Sequence, residues 1–434
     1  MSDVRFNLPS QVTEILDLLK AHTYTPYLVG DCVKELLLGG KPMDFDIVCD
    51  ATLDRIEAIF YEKYRTREDS LYKGELIIIS GGMGISVAPF RANFDGNGRP
   101  IYCDNLDDEL RRRTFTAEAI AYNHDTGLYD KCNGAKCISP DKIILKALGE
   151  RSFIAASEMP LKKRKGKKSA PPLVIPALER NPRGILEAML KFSKGEAEIT
   201  PVTLKNIQDN PQLLKRIHPA ELMEWFEKII MGKNVTEALL CFKSIVFCLF
   251  PVLRQEDGFE QNSSYQEFTL YEHTAKAVGF AVPDLKIRMA LLFHGAGKAD
   301  CAADRTYFTS YNGHGERAVM LTKSVLAEYS APKVVIENIC ALIRRHDDKI
   351  TPESYSDYVN AYGEDFTRDL LLFQSANVRA KGYDPVNERV SQSLRQLADG
   401  LSGTSVKTRR NTSPLTVTVD GLKNIVKMLD KNGI

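Results

Sequence analysis

The chain reads as an α+β protein whose sheet is confined to its first third. Three observations carry this expectation. Strand, glycine-turn and helix signals alternate through residues 1–150, helical spacing takes over from Arg183, and between them residues 161–176 (LKKRKGKKSAPPLVIP) break both patterns with lysines and prolines. A length of 434 residues allows two to four domains. The expected organisation is a head over 1–150, a basic, proline-rich linker or insertion over 151–180, a helical neck and body over 181–262, a second helical domain over 263–400 and a short tail over 401–434.

Along the head, Gln11–Ala21 places Val12, Ile15, Leu16 and Leu19 on one helical face. Tyr27–Val29 is a short apolar strand running into Gly30. A helix over Cys32–Leu38 stops at Gly39-Gly40. Phe45–Cys49 is an apolar strand flanked by aspartates. Glu75–Ser80 and Gly84–Phe90 are two further strands, joined by the hairpin signal Gly81-Gly82. The lysine run fits first a solvated loop or linker and, compatibly, a loop that contacts phosphate. Beyond it, Leu186, Met189 and Leu190 make one helical stripe, Leu222, Phe226 and Ile229 a second, and Val235–Phe247 a third before Pro251. Helices continue through 265–400, and Leu415–Val419 alternates weakly as a short strand.

Apolar residues make up 44% of the chain and charged residues 26%, an ordinary soluble composition. Apolar runs such as Ile245–Leu253 are too short to span a bilayer. The N-terminus, MSDVRFNLPSQ, lacks the basic and apolar regions of a secretory leader, so a cytoplasmic location is expected. The net charge of +1 argues against a highly basic nucleic-acid coat protein but leaves room for a local basic groove. The nine cysteines lack zinc-site spacing, because Cys132 and Cys137 have no second pair after them; reduced, mostly buried thiols are expected.

The chemistry concentrates at Lys41-Pro-Met-Asp-Phe-Asp-Ile-Val. Asp44 and Asp46 are two apart on a strand, so both side chains point to one face. Two carboxylates on one face are unfavourable unless a cation sits between them, and hard oxygen ligands suit Mg²⁺. Gly30 opens a helix whose N-terminus can receive a triphosphate.

This segment resembles the signature of the bacterial-type tRNA nucleotidyltransferase and poly(A) polymerase family, the class II CCA-adding enzymes. Val87-Ala-Pro-Phe-Arg resembles the strand that follows it. Leu110-Arg-Arg-Arg-Thr-Phe-Thr-Ala-Glu-Ala-Ile-Ala-Tyr-Asn, continuing to Asp130 and Gly134, resembles the second motif. Lys146-Ala-Leu-Gly resembles the next, and Ile217-His-Pro-Ala-Glu-Leu with Leu249-Phe-Pro the neck and body. The resemblance implies a nucleotidyltransferase-fold head and template-independent addition of CMP or AMP, from CTP or ATP, to the 3′ end of tRNA or other RNA. It also implies two Mg²⁺ ions on Asp44 and Asp46, and nucleotide contacts from Gly30, Lys34, Arg112 and Arg113. Arg112 and Arg113 suit this role because a guanidinium grips phosphate oxygens in a bidentate way; a surface pairing with Asp107, Asp108 or Glu109 is the alternative.

The chain departs from the family pattern at several places. The second glycine after the first strand is Asp31. Thr114 replaces the aspartate after the arginines, Glu118 an asparagine and Ser86 a glutamate. Gly184 and Glu187 stand at the positions of the base-reading arginines. A catalytically lapsed RNA-binding member of the family is therefore the alternative function. In the second half, His273, His294, His314 and His346 occur in an order that resembles an HD phosphohydrolase domain, but the two aspartates of that pattern are Gly295 and Asn377. His273, His294 and His346 are thus expected to mark a vestigial metal site. A metal phosphohydrolase is the third reading.

Overall fold

The computed structural model describes residues 4–67, 74–95, 98–149, 175–261, 267–304, 309–350 and 354–402; the lysines of 162–168 and the strand expected at 415–419 lie outside them. The chain divides into two compact units, one of residues 1–188 and 196–213, the other of 189–195 and 214–434. The first holds a mixed sheet with helices, and the second is almost wholly helical, as the α+β reading expects.

The first unit is organised by a seven-stranded sheet. Its strands are β1 (Tyr27–Val29), β2 (Asp44–Cys49), β3 (Arg65–Arg67), β4 (Leu76–Ser80), β5 (Met83–Pro89), β8 (Ala121–Asn123) and β9 (Gly127–Tyr129), in the order β3-β4-β5-β2-β1-β8-β9. The pair β2–β5 is parallel, and every other neighbour in the sheet is antiparallel. A separate ribbon is made by β6 (Arg91–Phe94) and β7 (Pro100–Tyr102).

One face of the sheet is covered by helix α1 (Ser10–Ala21), whose Val12, Ile15, Leu16 and Leu19 join Phe45, Ile47 and Cys49 of β2 in one buried cluster. Each large apolar side chain buried there contributes roughly 1.5–3 kcal/mol. The strand period then sends Asp44, Asp46 and Val48 to the other face. There Val48 packs with Leu106 and Leu110 of helix α4 (Leu106–Arg111), while Asp44 and Asp46 stay exposed. α4 runs directly into Arg112 and Arg113, so one apolar contact brings the arginine segment to the aspartate face.

Two elements differ from the sequence reading. A short strand, Ala197–Ile199, pairs in parallel with Ile143–Leu145 inside the helical region. Three residues are too few to show a period. The helix expected over Val235–Phe247 is split into Val235–Cys241 and Lys243–Leu249 at Phe242, whose φ of −104° and ψ of 28° leave the helical range. Phe242 is fully buried with its ring edge-on to Phe192 at 5.7 Å, and bending the chain there seats that ring in the core. All nine cysteines are free thiols, and fewer are buried than expected: Cys32, Cys49 and Cys340 are buried, Cys132 is exposed, and the rest are half-buried. Among the described residues no helix is long and apolar enough to cross a membrane.

Candidate active site

A cleft of about 270 Å³ in the first unit is lined by Gly30, Asp31, Asp46, Arg112, Arg113, Thr114, Glu118, Asn181 and Glu187. Asp46 sits on β2 opposite Val29 on one side and Ser86 on the other, and Asp44 lies beside Gly84. Two glycines clear the space around these carboxylates. Gly30 has a φ of +78°, and a Cβ on it would lie 3.0 Å from Asp46 Oδ2. A Cβ on Gly84 would lie 3.1 Å from Asp44 Oδ1. Exposed hard oxygen donors with that room beside them fit a magnesium-type cation.

The carboxyl of Asp46 is raised above the ordinary range. Desolvation by the surrounding protein is the largest cause, Arg113 opposes it, and Glu75 adds to it. Glu75 was not singled out from the sequence. It precedes β4 on the same side as Ile77, the partner of Ser86, and Ser86 Oγ donates to Glu75 Oε2 at 3.2 Å. Arg91 Nη1 lies 3.4 Å from that same oxygen. A carboxylate thus stands beside Ser86, contributed by the residue that precedes the neighbouring strand. The only signal in the sequence was a glutamate at the head of an apolar strand.

The arginines are held by a buried acid. Arg112 donates to Glu109 Oε1 from Nε at 3.0 Å and from Nη2 at 2.6 Å, and Arg113 Nη2 donates to the same oxygen at 2.9 Å. The other oxygen accepts from the Arg91 amide at 2.8 Å. Glu109 is fully buried, which would raise its carboxyl, but Arg113 and Arg112 outweigh burial and hold it below the ordinary range. Burial, and then Arg113, lower the Arg112 guanidinium to about 10, so it stays charged at neutral pH. Glu109 was foreseen only as one of three acids in a surface pairing; the pairing found here is internal, and it fixes both guanidiniums at the cleft. Lys34, by contrast, is buried in the helix Asp31–Leu37 and ion-paired to Asp31; its partner lines the cleft, and Lys34 itself does not.

The second unit brings His273, His294 and His346 together with His314. The Nε2 atoms of His273 and His294 lie 3.3 Å apart, and those of His314 and His346 lie 3.0 Å apart. The rings of His294 and His346 are 5.5 Å apart between centroids. Burial keeps these imidazoles neutral, lowering His273 to about 3 and His314 to about 4. The side-chain amide of Asn377, one of the lost aspartate positions, lies 2.9 Å from His273 Nε2.

Residues 26–144 match the poly A polymerase head domain. The chain is 26% identical over 236 residues to a CCA-adding enzyme of Limosilactobacillus reuteri, which covers 52% of this chain and 51% of that protein. The chain thus spans about half the length of the curated relatives it matches first. Among solved structures it resembles the Bacillus stearothermophilus CCA-adding enzyme in complex with CTP, with a TM-score of 0.58, 18% identity and 97% of each chain covered. It also resembles a tRNA nucleotidyltransferase complexed with a primer tRNA and an incoming ATP analog, with a TM-score of 0.54, 17% identity, 90% of this chain and 99% of the other. At these identities the structural likeness speaks to the fold. These matches make the chain similar to CCA-adding enzymes and poly(A) polymerases, with the poly A polymerase head domain over residues 26–144.

Proposed function

We propose that this chain adds nucleotides from CTP or ATP to the 3′ end of an RNA, with tRNA as the first candidate substrate. The observation that supports this most is the convergence, on one face of one sheet, of Asp46, Gly30 and the Glu109-anchored arginine pair. Relatives named CCA-adding enzymes, and a similar structure holding CTP, agree with it.

Asp44 and Asp46 would hold Mg²⁺. When bound, the metal ions would supply charge neutralisation of the triphosphate and activation of the RNA 3′-hydroxyl. Arg113 and Arg112 present N–H groups to phosphate oxygens, and Glu109 fixes their planes so that little side-chain entropy is lost on binding. Glu75, just before β4 and beyond β5 from Asp46, adds negative charge on the metal side and pairs with Arg91. Gly30 keeps the cleft open beside Asp46, where any side chain would intrude.

The test is primer extension. The purified protein is given tRNA transcripts ending before, within and after CCA, with Mg²⁺ and each nucleotide in turn, beside an Asp44→Ala/Asp46→Ala control. Extension that disappears in the control supports the transferase, and the nucleotide pattern separates CCA addition from A-tailing. RNA binding without extension by any nucleotide would replace this reading with the lapsed RNA-binding protein. Glu187 in the cleft, and Gly184 one helical turn before it, favour that second reading, because no base-reading guanidinium stands at either position.

A further inference from the structure

The four imidazoles of the second unit share one arrangement. Each Nδ1 faces a main-chain carbonyl: His273 to Ala380 at 3.1 Å, His294 to Leu291 at 2.7 Å, His314 to Tyr311 at 2.9 Å and His346 to Ile343 at 2.6 Å. A carbonyl has no proton to give, so each Nδ1 carries one, and each neutral ring is left with its lone pair at Nε2. Metal-bound histidines characteristically show this outer hydrogen bond, because it fixes the tautomer and the ring orientation.

The two pairs then part ways. His273 Nε2 has Asn377 Oδ1 beside it at 2.9 Å; the same amide turned by 180° about its last bond puts its NH₂ there and satisfies the lone pair within the protein. His314 and His346 have no such neighbour. Their Nε2 lone pairs face one another at 3.0 Å, and among the described residues no protein donor is directed at either. The Asp347 carboxylate, an acceptor, closes in at 3.3 Å from His346 Nε2 and 3.5 Å from His314 Nε2. Two lone pairs and a carboxylate at these separations repel one another unless a cation lies among them. A tetrahedral ion with bonds of about 2.0–2.2 Å sets its ligand atoms roughly 3.3–3.6 Å apart. The separations here lie in or just below that range, and one ligand atom from each of the three side chains lies within 4.8 Å of the others.

We propose that His314, His346 and Asp347 hold one divalent first-row transition-metal ion of the Zn²⁺ type, independent of the carboxylate site at Asp44 and Asp46. Two imidazole nitrogens and one carboxylate suit such an ion better than Mg²⁺, which prefers oxygen ligands and keeps its waters. The buried Lys298 and the half-buried Lys381 act on Asp347 and weigh further against an ion held by charge alone. Access is available from one edge, since the Asp347 side chain is 69% exposed while that of His346 is 3% exposed. The ligand set lies to one side of the HD pattern. With Gly295 and Asn377 in place of its aspartates, the anionic ligand is Asp347 instead.

The test uses the full-length protein, stripped with a chelator and titrated with Zn²⁺, Co²⁺, Ni²⁺, Mn²⁺ and Mg²⁺. Metal content is read by elemental analysis, and the Co²⁺ form by its visible absorption. The expected result is about one Zn²⁺ per chain, with Co²⁺ giving ligand-field bands of a nitrogen-rich site. Asp347→Asn lies at the surface and leaves the packing intact; it should weaken binding at least about ten-fold, as should His314→Ala. Three results would overturn the site: no stoichiometric metal, selectivity for Mg²⁺, or binding unchanged in Asp347→Asn. Binding kept in Asp347→Asn but lost in His273→Asn would move the ion to the other histidine pair.

Discussion

Thr114 and Gly184 stand where the family pattern has an aspartate and an arginine, and the two changes are geometrically linked. A Cβ on Gly184 would lie 2.3 Å from Thr114 Cγ2, so the threonine methyl occupies the room that a side chain at 184 needs. Thr114 Oγ1 in turn accepts from Asn181 Nδ2 at 2.8 Å. In an open helix, Gly→Ala gains about 1 kcal/mol, but overpacking here costs roughly 1–3 kcal/mol. Gly184→Ala should therefore lower the melting temperature. Adding Thr114→Ala should return part of the loss, with a coupling of about 1 kcal/mol in a double-mutant cycle read by denaturant unfolding. Strictly additive effects would refute the linkage. Glu109→Gln makes a second case. It leaves three arginines around a buried neutral amide, which should cost about 3 kcal/mol and raise the KM for nucleotide. Thermal melts and nucleotide-dependent extension check both effects. Asp44 and Asp46 were legible because a D-x-D on a strand is a local pattern. Glu75 was not, because its place opposite Ser86 depends on a strand register that only the folded sheet defines.

The same contrast holds for elements. The helix over Ser10–Ala21 and the strand Asp44–Cys49 could be read from periodicity, because each buries one face over at least six residues. The strand Ala197–Ile199 could not, since its partner Ile143–Leu145 lies some fifty residues earlier. The break at Phe242 was equally hidden, because the apolar spacing runs on through it. One short element carries a pH dependence. The 3₁₀ turn Pro251–Glu256 ends on a fully buried acid that accepts from Thr274 Oγ1 at 2.9 Å. Burial pushes Glu256 from 4.5 up to about 8. A carboxyl raised on folding contributes its stability in full below its unfolded value and loses it as pH rises through its folded one. Glu256→Gln keeps the shape and removes the titration. The melting temperature of the variant relative to the native protein should rise from pH 4.5 to about 8 and then level off. A difference that does not vary with pH would mean that Glu256 is already ionised in the fold.

At the scale of the whole molecule, the net charge of +1 provides almost no long-range field to draw in a nucleoside triphosphate. Attraction has to arise locally, and the cleft by itself does not supply it. Four carboxylates, Asp31, Asp46, Glu118 and Glu187, line it against the two guanidiniums of Arg112 and Arg113; Lys34 pairs with Asp31, and both guanidiniums already serve Glu109. Like charges about 4 Å apart repel by roughly 4 kcal/mol at the effective dielectric of a protein surface. A triphosphate without its cation should therefore be rejected. The metal then has a part in binding as well as in chemistry. Calorimetry with non-hydrolysable CTP and ATP analogues should show affinity falling at least about a hundred-fold when Mg²⁺ is chelated, equivalent to roughly 3 kcal/mol. Asp31→Asn removes the exposed acid at the cleft mouth and should recover part of the metal-free affinity. If affinity is the same with and without Mg²⁺, the triphosphate does not sit among these carboxylates. The nucleotide site would then have to be sought away from Asp46, and the departures at Asp31, Glu118 and Glu187 would mark a cleft that no longer receives one.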